Sequence, residues 1–149
     1  MDYLNDELSE IYIETLKKQS VYIDKRLATI RNRILTSDII FQGNSKDAIA
    51  SFLNIGTAQN LILAFFKQPV TECLHCKKKR SEVRQLERAH CNKDRLCRRD
   101  LLMRALDKIF VNMETPIHSR DILIQFIKEH KNCPIYFLCT ACHKSYDHS

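Results

Sequence analysis

Glycine and proline are scarce in this chain, with two glycines and three prolines in 149 residues. That scarcity excludes collagen-like and linker-rich architectures. Nor can a glycine-rich phosphate loop be assembled from Gly43 and Gly56. Long apolar runs are missing too: the longest, Leu61 to Phe66, is far too short to span a bilayer, and no membrane partner is expected. The N-terminus, Met1-Asp2-Tyr3, is mixed acidic and polar and carries no secretory signal, which leads us to expect a reducing, cytoplasmic setting. No internal repeat or low-complexity tract occurs.

What is present is a globular composition, 44% hydrophobic and 28% charged, with two oddities. Lys and Arg number 24 against 18 Asp and Glu, a net charge of +6 that suits a polyanionic partner. Seven cysteines occur without an export signal, which argues for metal ligation over disulfides, and an odd count already leaves one unpaired. The length suits one domain, or a small domain carrying an extension.

From Asp6 to Leu35 the apolar spacing is helical. Leu4, Leu8 and Ile11 share one face, while Ile23, Leu27, Ile30 and Ile34 form a second stripe. These stripes offer an interface for a homodimer, and the Lys and Arg residues between them read as a solvated face. Asn44 or Ser45 can cap a helix running to Leu53, and Thr57 a second one to about Lys67. The pair, Asp47 to Lys67, has the outline of a helix-turn-helix, although any helical hairpin has the same outline.

The chain changes character at Thr71, because all seven cysteines and all six histidines lie after it. Eleven basic residues fall between Cys73 and Arg104 against four acidic ones, so this stretch alone carries +7. Leu102, Ala105, Leu106, Ile109, Phe110 and Met113 predict a helix ended by Thr115-Pro116. Ser119 can cap another, with Ile122, Leu123, Phe126 and Ile127 inward until about His130. Pro134 to Leu138 reads as a short strand, and Val83 to His90 as an extended stretch.

Cys73-Leu74-His75-Cys76 and Cys139-Thr140-Ala141-Cys142 are two C-x-x-C pairs, each able to present two thiolates to one ion. Together they can complete a tetrahedral four-sulfur zinc site. A redox C-x-x-C or two unrelated buried cysteines are the alternatives, and Cys91 could replace one of the four ligands. Cys97 and Cys133 read as core residues. His143 and Asp147, four apart on a helix after the second pair, share a face. With His90 held nearby they could bind a divalent cation and supply a base.

These motifs resemble those of the zinc-stapled branch of the HNH, or ββα-metal, endonucleases. Cys73, Cys76, Cys139 and Cys142 match the zinc staple, His90 the catalytic histidine, and His143 the metal ligand on the helix. The ending Cys142-His143-Lys144-Ser145-Tyr146-Asp147 is similar to one common in the family, and the likeness covers residues 73 to 147 only. The position before His90, usually aspartate, is Ala89, so the second ligand falls to Asp147, Glu87 or His148. Asn132 is the candidate for the middle asparagine, with Asn92 and Asn112 in competition. A 48-residue insertion, Cys91 to Leu138, separates His90 from Cys139, and its helices would project from the hairpin.

The resemblance implies an α+β, mainly α, protein. A helical region over 1–70, for dimerisation or DNA binding, would precede a zinc-stapled ββα-metal unit over 71–149 with a helical insertion at about 93–131. It also implies metal-dependent hydrolysis of phosphodiester bonds in double-stranded DNA, with a sequence-specific restriction-type enzyme, a homing or junction-resolving nuclease and a nicking enzyme all open. His90 would act as general base, with Asn132 beside it in the catalytic machinery. Mg²⁺ or Mn²⁺ on His143 and Asp147 would be the catalytic ion, and zinc would stay structural. Lys77, Lys78, Lys79, Arg80, Arg84, Arg88, Arg95, Arg98 and Arg99 would hold the phosphate backbone. A non-catalytic zinc module that binds nucleic acid or protein is the alternative.

Overall fold

The computed structural model describes residues 10–53, 70–90 and 98–148, with the backbone alone for His90 and residues 146–148. Its longest element is α1 (Glu10–Thr36), a stretch without glycine or proline, which buries Tyr12, Gln19, Ile23, Ile30 and Ile34 along one stripe. The helix ends where the Ser37 N–H returns to the Arg33 carbonyl at 3.2 Å. A two-residue strand, β1 (Ile40–Phe41), and α2 (Lys46–Leu53) follow. The Ser45 hydroxyl accepts from the Ala48 N–H at 3.2 Å, the N-cap expected from the sequence. The proposed helix from Thr57, and the helix-turn-helix that needs it, lie outside the described residues.

Beyond the first cysteine pair comes β2 (Leu86–His90), then α3 (Arg98–Ile109), β3 (Ile117–His118), α4 (Ser119–Glu129), a 3₁₀ turn (His130–Asn132), β4 (Ile135–Cys139) and α5 (Thr140–His148). Among the described residues two antiparallel strand pairs form. Ile40 lies opposite His118 and Phe41 opposite Ile117, while β2 pairs with β4 from Leu86↔Cys139 to His90↔Ile135.

Two expectations need correction. The helix carrying Leu102 to Ile109 stops at Ile109, and Met113 is exposed. The Asn112 carboxamide oxygen accepts from the N–H groups of Glu114 and Thr115, both at 2.9 Å, and so offers the backbone a turn in place of further helix. Nor does Ser119 cap α4. Its hydroxyl accepts from the Ile39 N–H at 2.8 Å, and the helix amide of Arg120 goes instead to Asp38 at 2.9 Å. Asp38 also receives the Ser119 hydroxyl and pairs with Nδ1 of His118, a carboxylate at a helix N-terminus where the macrodipole favours it. Burial opposes the charge on Asp38, but the Arg120 N–H, His118 and Ser119 together hold its pKa below the ordinary value.

The main core joins both halves of the chain. Ile23, Ile30 and Ile34 of α1 and Ile49, Ala50 and Leu53 of α2 pack with Leu101, Leu102 and Leu106 of α3 and Ile122, Phe126 and Ile127 of α4. The inserted helices therefore lie against α1 and α2, not out from the hairpin. Of the two stripes offered as a dimer interface, the second, Ile23 to Ile34, is buried in the chain's own core, while Leu4 and Leu8 of the first lie outside the described residues. Gln19 ties this body to the second strand pair. Its amide nitrogen donates to the carbonyls of His130 (2.6 Å) and Cys133 (3.0 Å), and its oxygen accepts from the Ile135 N–H at 2.7 Å. A buried amide satisfied on both ends sets where β4 begins.

Candidate metal centre

The first C-x-x-C forms a tight turn. The Lys77 N–H donates to the Cys73 carbonyl and the Cys73 N–H to the Lys78 carbonyl, both at 3.0 Å. Closing it places Lys77 at φ 63°, in the left-handed region that costs a side-chain-bearing residue about 1–2 kcal/mol. The Leu74 N–H donates to the Phe137 carbonyl at 3.0 Å and stitches the turn to β4. The second pair spans a junction: Cys139 ends β4 and Cys142 sits in the first turn of α5.

These elements bring the four sulfurs of Cys73, Cys76, Cys139 and Cys142 within 4.8 Å of one another. The Sγ atoms of Cys76 and Cys139 are 3.8 Å apart, and a tetrahedron with Zn–S bonds near 2.3 Å has edges of about 3.8 Å. All four are free thiols. The four cysteines can therefore hold a structural metal such as zinc. Their electrostatics favour an ion. Burial opposes a thiolate at Cys73, yet the N–H groups of Cys139, Cys76 and His75 bring its pKa down to about 6. Burial, and then the sulfurs of Cys139, Cys76 and Cys73, push the Cys142 thiol upward. Four thiolates this close repel unless a cation sits among them. Cys133 is buried in the helical core, and Cys91 and Cys97 lie outside the described residues.

Pairing across β2 and β4 puts Glu87 and Ala89 on one face with Leu138 and Tyr136, the face that α5 covers. There His143 Nδ1 meets Glu87 Oε1 at 2.8 Å, with the two side chains 24% and 26% exposed. The other carboxylate oxygen accepts from Gln85 Nε2 at 2.7 Å and from the Thr140 hydroxyl at 3.1 Å. His143 above all lowers the Glu87 pKa; burial opposes it, and Gln85 and Thr140 add to the lowering. Of the three substitutes considered for the second ligand, Glu87 is the one whose carboxylate reaches His143 among the described side chains. It stands two residues before Ala89 on the same strand face. Strand alternation was the signal that could have singled it out from sequence.

The backbone of His90 ends β2 opposite Ile135, three residues and about 10 Å along the strand from Glu87. The side chains of His90, Asp147 and His148 lie outside the described residues. Asn132 is exposed in the 3₁₀ turn that precedes β4, at the same end of the pair as His90. Asn112, its competitor, is engaged in the turn after α3; Asn92 and Arg95 are outside the described residues.

The basic residues fall into three groups. Lys77, Lys78, Lys79, Arg80 and Arg84 are exposed around the first cysteine turn. Within that group Lys79 pairs with Glu72 at 3.4 Å and Arg80 donates to the Val70 carbonyl at 3.4 Å. Arg99 pairs with Asp47 at 2.9 Å on the helical body. Arg88 is exposed on β2 opposite Phe137, and the Arg98 guanidinium lies over the Phe126 ring, 5.8 Å from its centroid. Burial first, and then the charge of Arg88, lowers the Arg98 pKa. No helix among the described residues is long and apolar enough to cross a membrane. Comparison with protein-family models, with curated proteins and with solved structures found no match to the chain.

Proposed function

We propose that the chain is a metal-dependent DNA endonuclease of the HNH type, hydrolysing phosphodiester bonds in double-stranded DNA. One observation carries this reading: β2 and β4 pair antiparallel and β4 runs straight into α5, with four cysteines gathered at the strand–helix junction. That is the order of elements which the resemblance implies, although 44 residues (91–134) intervene between the strands.

In this reading the four-cysteine site holds zinc and keeps the junction rigid, because a closed all-thiolate site has no open coordination position. His90, at the end of β2, takes a proton from the attacking water. His143, with Asp147 as a further ligand, holds Mg²⁺ or Mn²⁺, which when bound supplies charge stabilisation at the phosphate. Asn132 completes the catalytic set. Lys77, Lys78 and Arg84 attract the phosphate backbone without reading sequence.

Supercoiled plasmid is the test substrate. Purified protein should nick or linearise it with Mg²⁺ or Mn²⁺, and His90→Ala or His143→Ala should each remove cleavage while leaving the zinc-to-protein ratio unchanged. A wild-type protein inert with every divalent ion would end the nuclease reading. A second reading, a non-catalytic zinc module that binds nucleic acid, draws on Ala89: it is buried at the strand position where the family usually carries a ligating aspartate. Salt-sensitive DNA binding without cleavage is its signature.

A further inference from the structure

We propose that Glu87 is the positioning residue of the cation site at His143, holding the imidazole through Nδ1 so that Nε2 is the nitrogen offered to the ion. The inference rests on the cation site proposed above and adds a role for a carboxylate which that reading leaves undetermined. It starts from the division of labour on Glu87. Oε1 meets His143 Nδ1 at 2.8 Å, and Oε2 takes both Gln85 Nε2 and the Thr140 hydroxyl. With Oε2 taken up by two donors and Oε1 at hydrogen-bond distance from Nδ1, the contact suits a proton on Nδ1. Any lone pair that His143 gives to a cation is then the one on Nε2. A carboxylate on the far nitrogen of a ligating histidine fixes tautomer and ring orientation and raises ligand basicity.

Three elements converge on this arrangement. Glu87 stands on β2, Gln85 just before it, and Thr140 and His143 in the first turn of α5. Thr140 follows Cys139 directly, so the metal-holding cysteine and the donor that steadies Glu87 are neighbours in sequence. With two donors on Oε2 and Nδ1 at Oε1, three of the carboxylate's roughly four acceptor sites are already taken up within the protein. As an ion pair alone, a quarter-exposed Glu–His contact adds little to stability.

Mn²⁺ binding by the zinc-loaded full chain, followed by electron paramagnetic resonance without DNA, tests the proposal. Glu87→Ala should weaken Mn²⁺ binding about 10- to 100-fold. Glu87→Gln should recover most of that loss, because its amide oxygen still accepts from Nδ1–H. The zinc-to-protein ratio and amide protection across β2 should not change. Nitrogen NMR of the wild type should report the Nδ1–H tautomer of His143. An unchanged Mn²⁺ affinity in Glu87→Ala would overturn the inference, as would an Nε2–H tautomer. So would a Gln variant as weak as the Ala variant, which would make Glu87 a ligand. If Glu87→Ala does not fold, the Gln variant and the tautomer decide alone. Should wild-type protein bind no Mn²⁺, the cation site itself fails; a tight wild-type site indifferent to Glu87 removes only the positioning role.

Discussion

The helical body and the ββα unit of this chain are held together in different ways. Among the described residues, eighteen buried ones make up the helical core, drawn mostly from α1 to α4 and from the edges of both strand pairs. The cluster beneath the second strand pair has five among the described residues, and two of those are the cysteines Cys73 and Cys139. With half-buried Leu74, Val83 and Leu86 around it, this is a small core among the described residues, and a metal bound by the four cysteines would add to it. A buried Leu or Ile can be replaced by another apolar residue at modest cost. A thiolate in a four-sulfur site has no such substitute, and the two regions should respond to different insults.

The largest effect should come from the metal. Removing it with a chelator, or Cys139→Ser, should cost the ββα unit on the order of 10 kcal/mol, since metal binding and folding are one event in such sites. Hydrogen exchange should show lost protection at 86–90 and 135–139 with helical circular dichroism largely kept. Collapse of both together would mean that the helical core also depends on the ion.

Gln19 tests the link between the regions. Gln19→Leu strands the Ile135 N–H and two carbonyls, and about 2–3 kcal/mol should be lost. Denaturant unfolding should then split into two transitions, the ββα unit melting first. A single transition shifted as a whole would mean that the regions remain coupled through other contacts.

Asp38 belongs to the helical side alone. Asp38→Ala removes the carboxylate from the start of α4 and should cost about 0.5–2 kcal/mol without changing metal content. Because the folded pKa of Asp38 is lowered, its contribution is present above the unfolded value near 3.8 and fades as pH falls through the folded one. Asp38→Asn should therefore flatten the acid limb of a stability–pH curve, and an unaltered limb would remove Asp38 from the account. The smallest effect should be Lys77→Gly, which relieves the left-handed backbone of the cysteine turn and should stabilise the ββα unit by up to about 1 kcal/mol. Thermal unfolding of the metal-loaded protein reads it.

Much of the scaffold is legible from spacing. The α1 stripe, the Ser45 cap, the inward residues of α3 and α4 and both cysteine pairs are all local patterns, and each appears at or near its expected place. Local pattern misleads where a distant partner competes. Ser119 reads as a cap because it is the right residue at the right place, yet Asp38, 82 positions from the amide it binds, takes that duty. The Ile23 to Ile34 stripe reads as an open face because nothing in its own sequence shows that α4 and the 3₁₀ turn will cover it.

By itself the sequence determined the helices, the four thiols and the basic stretch between them, because 3.6-residue periodicity and C-x-x-C turns act over a few residues. Tertiary structure decided what those parts meet. It brought two cysteine pairs 63 positions apart to a 3.8 Å contact, set Glu87 rather than Ala89 against His143, and placed the inserted helices on α1 and α2. Partners of this kind are chosen by packing, since a face of a strand or helix is settled only when another element covers it.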